Sequence, residues 1–289
     1  MERLPFVDTH VHFSDLRTEQ LRYVWLEPEF VHPILGDIGA IQAQRYWADD
    51  FVRETRFQNV SKSVHVQAAL GTEDPVEETK WLQAFADRLG HPHGIVGEVH
   101  LAQPDAAEVI DRHLEHANVR GVRDFGQGDY PRDPAWREGY AHLERHDLVA
   151  CLDSSPESYA SIKSLAEAFP YIIISLDHAG FPRQRDDEYF AMWKRELTSL
   201  GEAPNVVIKV SGLGMCDNDW TVDSWRPWVM TCIEAFGVER SFFGTNWPVD
   251  RMYSSYGDVL DAYAQIISGF SRDEQAALFS GNAERIFRI

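Results

Sequence analysis

Two histidines, His10 and His12, lie in the run Asp8-Thr9-His10-Val11-His12 near the start of a 289-residue chain. Side chains two apart on an extended strand share a face. The two imidazoles therefore converge, provided Val7, Thr9 and Val11 occupy the other face. A converging imidazole pair holds a divalent metal or moves protons near neutral pH. A third histidine, His178, closes the apolar run Ile172-Ile173-Ile174-Ser175-Leu176-Asp177 and precedes the small-residue turn Ala179-Gly180. The His-x-His spacing alone describes many ordinary loops. Its weight comes from three histidines falling at the ends of strand-like runs.

Other polar groups end similar runs. Arg123, in Val122-Arg123-Asp124, suits a substrate carboxylate or a developing oxyanion, and equally suits neutralising Asp124 or Glu98. Asp153 is a candidate general base, although Ser154, Ser155 and Pro156 beside it favour a helix N-cap. In Gly244-Thr245-Asn246-Trp247-Pro248-Val249-Asp250, proline stops the strand near Asn246 and leaves Asn246 and Asp250 at a rim. His65 and Gln67 share one face of a run, Glu98 and His100 another, and Lys209 and Ser211 a third. Polar packing accounts for most of these.

The elements that must position these groups are short strands alternating with amphipathic helices. Strand patterns span 6–13, 62–69, 94–101, 119–125, 148–153, 171–178, 206–213 and 241–246, rich in Val and Ile and bounded by Gly, Pro, Asn or Asp. Helical periodicity marks Val76–Leu89 and 156–169, and Ser271 with Glu274 forms a capping box. Eight strands each followed by helical material predict a (β/α)8 TIM barrel, read as one domain over residues 1–289. Chemistry in that fold belongs at the C-terminal strand ends. The first connection, 14–56, is long and aromatic, with Tyr23, Trp25, Phe30, Tyr46 and Trp47, and is expected to fold over the barrel mouth.

These segments together resemble one family. The opening Asp-Thr-His-Val-His-Phe, residues 21–26, 64–68 and 119–123, Leu176-Asp177-His178-Ala179-Gly180, residues 204–212 and Phe243-Gly244-Thr245-Asn246-Trp247-Pro248-Val249-Asp250 are similar to the amidohydrolase-related group containing fuconolactonase-like and pyrone-dicarboxylate lactonases. The resemblance implies a hydrolase opening a lactone or related cyclic ester of a small polar or carboxylated substrate. It implies one zinc-like divalent ion or none, with His10, His12 and His178 as ligands. It implies His10, His12 and His178 around the scissile carbonyl and Arg123 on a substrate carboxylate; the candidate catalytic residues are His178, Asn246, Asp153 and Asp250, and the candidate substrate-binding residues Arg123, His65, Trp25 and Trp247. The chain departs from the group at Asn246, where an aspartate ordinarily activates water, and at the fifth strand, which lacks a histidine. Two bridged ions are therefore not expected. Asp153 or Asp250 is then the expected base, and if Asn246 only orients substrate or water, Asn246→Asp, nearly isosteric, is expected to be tolerated structurally. A mononuclear metal-dependent decarboxylase or hydratase, and a binding barrel without catalysis, are the alternatives.

Composition narrows the classes. The net charge is -19, the opposite of a nucleic-acid footprint. No apolar run approaches a membrane span, and residues 1–6 do not read as a signal peptide. Cys151, Cys216 and Cys232 are too dispersed for a disulfide framework or a cysteine zinc site. The expected setting is the cytoplasm and the expected partner a small molecule, with homo-oligomerisation open.

Overall fold

The computed structural model describes residues 4–32, 34–126 and 128–289. The first three residues of the segment read as lacking a leader fall outside it. Eight parallel strands stand side by side in chain order: β1 (Phe6–Val11), β2 (Val60–Val66), β3 (Gly94–Glu98), β4 (Val119–Arg123), β5 (Val149–Leu152), β6 (Ile174–Leu176), β7 (Val206–Val210) and β8 (Ser241–Phe243). The helices between and after them are α1 (Ala48–Thr55), α2 (Val76–Leu89), α3 (Ala106–His113), α4 (Pro134–Ala141), α5 (Tyr159–Ala168), α6 (Asp187–Gly201), α7 (Val222–Phe236), α8 (Tyr256–Ile266), α9 (Arg272–Ala276) and α10 (Asn282–Phe287). This is the predicted barrel.

The seam between β1 and β8 closes through side chains more than through a ladder. One parallel bridge joins Val11 to Trp247. Thr9 Oγ1 donates to the Phe243 carbonyl at 2.8 Å. The Asp8 carboxylate accepts from Thr245 N, Thr245 Oγ1 and Tyr256 Oη at 2.9, 2.6 and 2.8 Å. Burial pushes Asp8 up to about 6 against those bonds.

Inside the barrel, Val7, Val66, Val96, Val149, Val207 and Phe242 form an apolar layer closed from below by Ile286 and Phe287 of α10. Val7 thus faces inward, contrary to strict alternation with His10 and His12. The pairing of β1 with β2 shifts register between Asp8 and Val11. A shift of one residue exchanges faces, which lets Val7 and the two histidines all point to the interior.

Helix α2 has the expected bounds, and Ser271 caps α9 reciprocally with Glu274. The helix expected over 156–169 divides into a 3-10 turn, Pro156–Ser158, and α5. Strands β6 and β8 are shorter than expected because the chain enters left-handed conformations. His178, Ala179 and Phe181 have φ of 53°, 54° and 55°, and Asn246 has φ of 60°.

The long first connection covers the mouth, as expected. Ser14–Asp15 pairs antiparallel with Arg45–Tyr46 at its base. Leu21, Tyr23, Leu26, Leu35 and Ile38 form its own small core against Ala68, Ala69 and Val249 of the barrel rim. Among the described residues no helix is long and apolar enough to cross a membrane.

Candidate active site

At the C-terminal strand ends lies a cavity of about 560 Å³. His12, Gln67, Arg123, Asp153, His178 and Asn246 give it a polar floor, and the first connection supplies much of its outer wall.

Arg123 and Asp153 form the centre of the floor. The Arg123 guanidinium donates from Nη2 to Asp153 Oδ2 and from Nη1 to Gln67 Oε1 at 3.4 Å. Its Nε is 3.9 Å from Asp177 Oδ2, and its Cζ stacks 4.2 Å from the centre of the Phe125 ring. Burial raises the Asp153 carboxyl, but Arg123, His178 and Lys209 overcome this and hold it below its ordinary range. Asp153 is therefore the ionised partner of Arg123. The helix-cap reading is corrected: Ser155 and Ser158 occupy the following N-cap positions. Arg123 likewise pairs with Asp153 and Asp177 and not with Asp124, which accepts from Leu101 N and Trp136 Nε1.

The three histidines come together. The His10 ring lies 4.9 Å from that of His12 and 4.4 Å from that of His178, centre to centre. His12 Nδ1 is 2.8 Å from the Val66 carbonyl oxygen. A carbonyl only accepts, so Nδ1 carries the proton and Nε2 keeps its lone pair. His178 Nδ1 meets Ser211 Oγ at 3.1 Å, while Nε2 lies 3.9 Å from Asp153 Oδ1. A carboxylate on that side favours the Nε2–H tautomer, with Ser211 donating to Nδ1. His10 sits deeper, with no hydrogen-bond partner at either nitrogen and Nδ1 3.7 Å from Asp177 Oδ2. Burial lowers all three from the usual histidine value, helped by neighbouring positive charges and opposed at His178 by Asp153 and Asp177. All three are neutral imidazoles near pH 7.

Asn246 and Asp250 form a separate pair. Asn246 lines the cavity and donates from Nδ2 to Asp250 Oδ1 at 3.0 Å. Burial pushes Asp250 up to about 7 despite bonds from Asn246 and the Gly214 backbone. Asp250 lies behind Asn246 and is not in the cavity wall. The expected tolerance of Asn246→Asp does not fit this arrangement, because the change sets two buried carboxyl groups against each other.

Trp25 lines the cavity, with its indole Nε1 donating outward to the Ala68 carbonyl at 2.7 Å. His65 and Trp247 stand outside the cavity wall. His65 receives the Phe13 backbone N–H and faces Glu78 of α2 at 3.2 Å, on the outer face of β2. Trp247 is buried in the β1–β8 seam and donates to Glu54 at 3.0 Å. Gln67 lies past the end of β2 at Val66, where the strict alternation that would place it with His65 no longer holds.

Five groups, expected from the sequence only to pack or given no role, support or line the floor. Asp177, fully buried, is shared by Arg123, His10 and Lys209, whose Nζ is 2.9 Å from Asp177 Oδ1. Ser211 fixes His178. Gln67 and Arg183 complete the lining. Lys209 stands inside the otherwise Val-Val-Ile-Val strand β7 and Ser211 just past its end, and that is the signal that marked them.

His12, with Nδ1–H on a carbonyl, and the neutral His10 each have a lone pair to offer one zinc-like ion, whereas His178 would first have to move its proton from Nε2 to Nδ1, with Ser211 Oγ then accepting. Among the described residues, no three His, Cys, Asp or Glu side chains stand in metal-holding positions.

An eight-stranded parallel barrel with a histidine and carboxylate cluster at its C-terminal mouth is a (β/α)8 barrel with its polar site where enzymes of this fold carry theirs. The amidohydrolase family model matches residues 7–289, and the chain belongs to that family. An uncharacterized protein, y4mH, of Sinorhizobium fredii is 36% identical, with all of both chains covered. The L-fucono-1,5-lactonase of Burkholderia ambifaria is 28% identical over 98% of this chain and 95% of its own. The crystal structure of an amidohydrolase from Burkholderia multivorans with bound zinc superposes with a TM-score of 0.85 at 25% identity, 99% of each chain covered.

Proposed function

We propose that this protein hydrolyses a lactone by attack of water on the ring carbonyl in the mouth cavity. The observation that carries the reading is the division of labour among neutral and charged groups on the cavity floor. Arg123 and the Nε2–H of His178 are donors for the oxygen that becomes an oxyanion. The Nε2 lone pair of His12 accepts a proton from the attacking water. The tetrahedral adduct then collapses, the ring C–O bond breaks, and His12 returns the proton to the leaving oxygen. Water, lactone and hydroxy acid balance without another reactant.

Asp153 keeps Arg123 and His178 aimed, and its low proton affinity makes it a poor base. Asp250 reaches the cavity only through Asn246, whose carboxamide oxygen orients water or substrate. Relatives named as lactonases support the substrate bond. A divalent ion bound by His10, His12 and His178 would supply Lewis-acid polarisation of the carbonyl. The same His12 nitrogen serves either as ligand or as base. The proton-transfer reading therefore expects activity to survive chelation and added zinc to compete.

The test is proton release in a pH-stat with a panel of lactones. Wild-type protein is expected to release one proton per ring opened, and Arg123→Met to lose about 10²-fold or more in kcat/KM while remaining folded. Proton release that is absent across the panel, or unchanged in Arg123→Met, would overturn the assignment.

A further inference from the structure

The cavity is polar at its floor and apolar above it. Its outer half is built from Val24, Ile34, Leu35 and Leu70 with Phe181 and Met215, side chains with no conventional hydrogen-bond donor. The aromatic residues there that do carry polar atoms have them engaged. Trp25 Nε1 is bonded to the Ala68 carbonyl, and Tyr130 Oη to the Asp153 carbonyl at 3.4 Å. His32 Nδ1 accepts from the backbone N–H groups of Ile34 and Leu35 at 3.2 and 3.1 Å. Among the described residues, Ser154, Ser155, Ser158, Arg183 and the second nitrogen of His32 are the side-chain polar groups that remain for a ligand at the rim, and none of them belongs to the Val24–Leu35–Leu70–Met215 wall.

A polyhydroxylated lactone placed on this floor sets several hydroxyls against that wall. Each hydroxyl stripped of water without a partner is penalised heavily. An alkyl or aryl group in the same place gains from burial instead. The wall is also held in shape before any ligand arrives, because Leu35 packs with Leu21, Leu26 and Ile38 beneath it, and a preformed apolar surface discriminates by area.

We infer that the substrate is a lactone carrying a hydrocarbon substituent, which lies against the Leu35–Leu70–Met215 wall while the ring carbonyl meets Arg123 and His178. This deepens the lactonase reading and rests on it. It separates this chain from the sugar substrate in the name of its lactonase relatives.

The experiment compares kcat/KM for γ-butyrolactone and its γ-ethyl, γ-butyl and γ-hexyl derivatives with that for L-fucono-1,5-lactone. About threefold per added methylene is expected until the wall is covered, with the hexyl compound exceeding the sugar lactone by 10-fold or more. Leu35→Asn is expected to flatten the series. Binding of the γ-alkyl lactams, which lack the scissile ester, is followed in parallel by titration calorimetry of the wild-type protein. This gives the same gradient without requiring that variant to fold. A flat series with the sugar lactone preferred would overturn the inference and leave the hydrolase reading standing. Failure to open any lactone, with no lactam gradient, would remove both. A lactam gradient without turnover would keep the apolar subsite and remove the hydrolase.

Discussion

The histidines differ in what their second nitrogen does, and this sets their roles. His12 has Nδ1 on a carbonyl, so its free nitrogen is a lone pair. His178 has Nδ1 on a hydroxyl and a carboxylate on its other side, so its free nitrogen carries a proton. If His12 is the base, its lowered proton affinity places the acidic limb of kcat/KM below pH 6.5, with a plateau above it. A limb centred near pH 7 would instead report Asp250. The pH–rate profile measured between pH 5 and 8 decides between them. Ser211→Ala removes the donor to His178 Nδ1 and is expected to lower kcat more than it changes KM, with the protein remaining folded. An unchanged kcat would show that Ser211 only packs. Asn246→Asp faces Asp250 with a carboxyl where an N–H stood. The pair then shares one proton or repels, and a loss of about 1–3 kcal/mol is expected in chemical denaturation. The exchange Asn246→Asp with Asp250→Asn restores an amide–carboxyl pair and is expected to recover most of that loss.

At the scale of elements, the left-handed turns after β6 and β8 place His178 and Asn246 beside the left-handed turn after β7. Gly212, at φ of 61°, follows Ser211, and a Cβ there would stand 2.5 Å from His178 Nδ1 and 3.2 Å from Asn246 Nδ2. Gly212→Ala therefore both strains the backbone and displaces His178 from Ser211. A fall in kcat/KM of about 10²-fold is expected for a displacement near 1 Å, larger than the accompanying change in Tm would suggest. Wild-type kinetics in this variant would show that the turn tolerates the methyl. The strands and α2 were legible in the sequence because burial imposes period 2 and period 3.6 on apolar residues. The register shift in β1 was not legible. It follows from Asp8 turning away to hold Thr245 and Tyr256, partners 237 and 248 residues distant. The positions of His65 and Trp247 were illegible for the same reason: a strand-end residue faces either side according to local twist. The pairing of Arg123 with Asp153 joins two strands through a contact that no local pattern encodes.

The whole molecule carries opposing pH dependences. Burial raises Asp8 to about 6 and Glu98 and Asp250 to about 7. A raised group favours the folded state fully below its unfolded value and loses that contribution as pH climbs through the folded value. For these carboxyls the loss runs from about pH 4 to pH 7. His10, His12 and His178 are lowered, so their contribution is present above pH 6.5 and is lost as pH falls through their folded values. Asp250→Asn removes one titrating carboxyl. Its stability relative to wild type is expected to rise between pH 4.5 and 8 by on the order of 3 kcal/mol. Calorimetric Tm curves for the two proteins should diverge across that window, and parallel curves would show that Asp250 is ionised in the fold at all these pH values.

The proposed attack of water on the acyl carbon of a lactone in the mouth cavity is tested most directly by isotope placement. In water enriched with oxygen-18, single turnover of a γ-alkyl lactone by wild-type protein is expected to place one heavy oxygen in the product carboxylate and none in its hydroxyl. Arg123→Met should form the labelled acid about 10²-fold or more slowly. Label in the hydroxyl oxygen, carbon dioxide as a product, or labelled carboxylate formed equally fast by Arg123→Met would contradict the account.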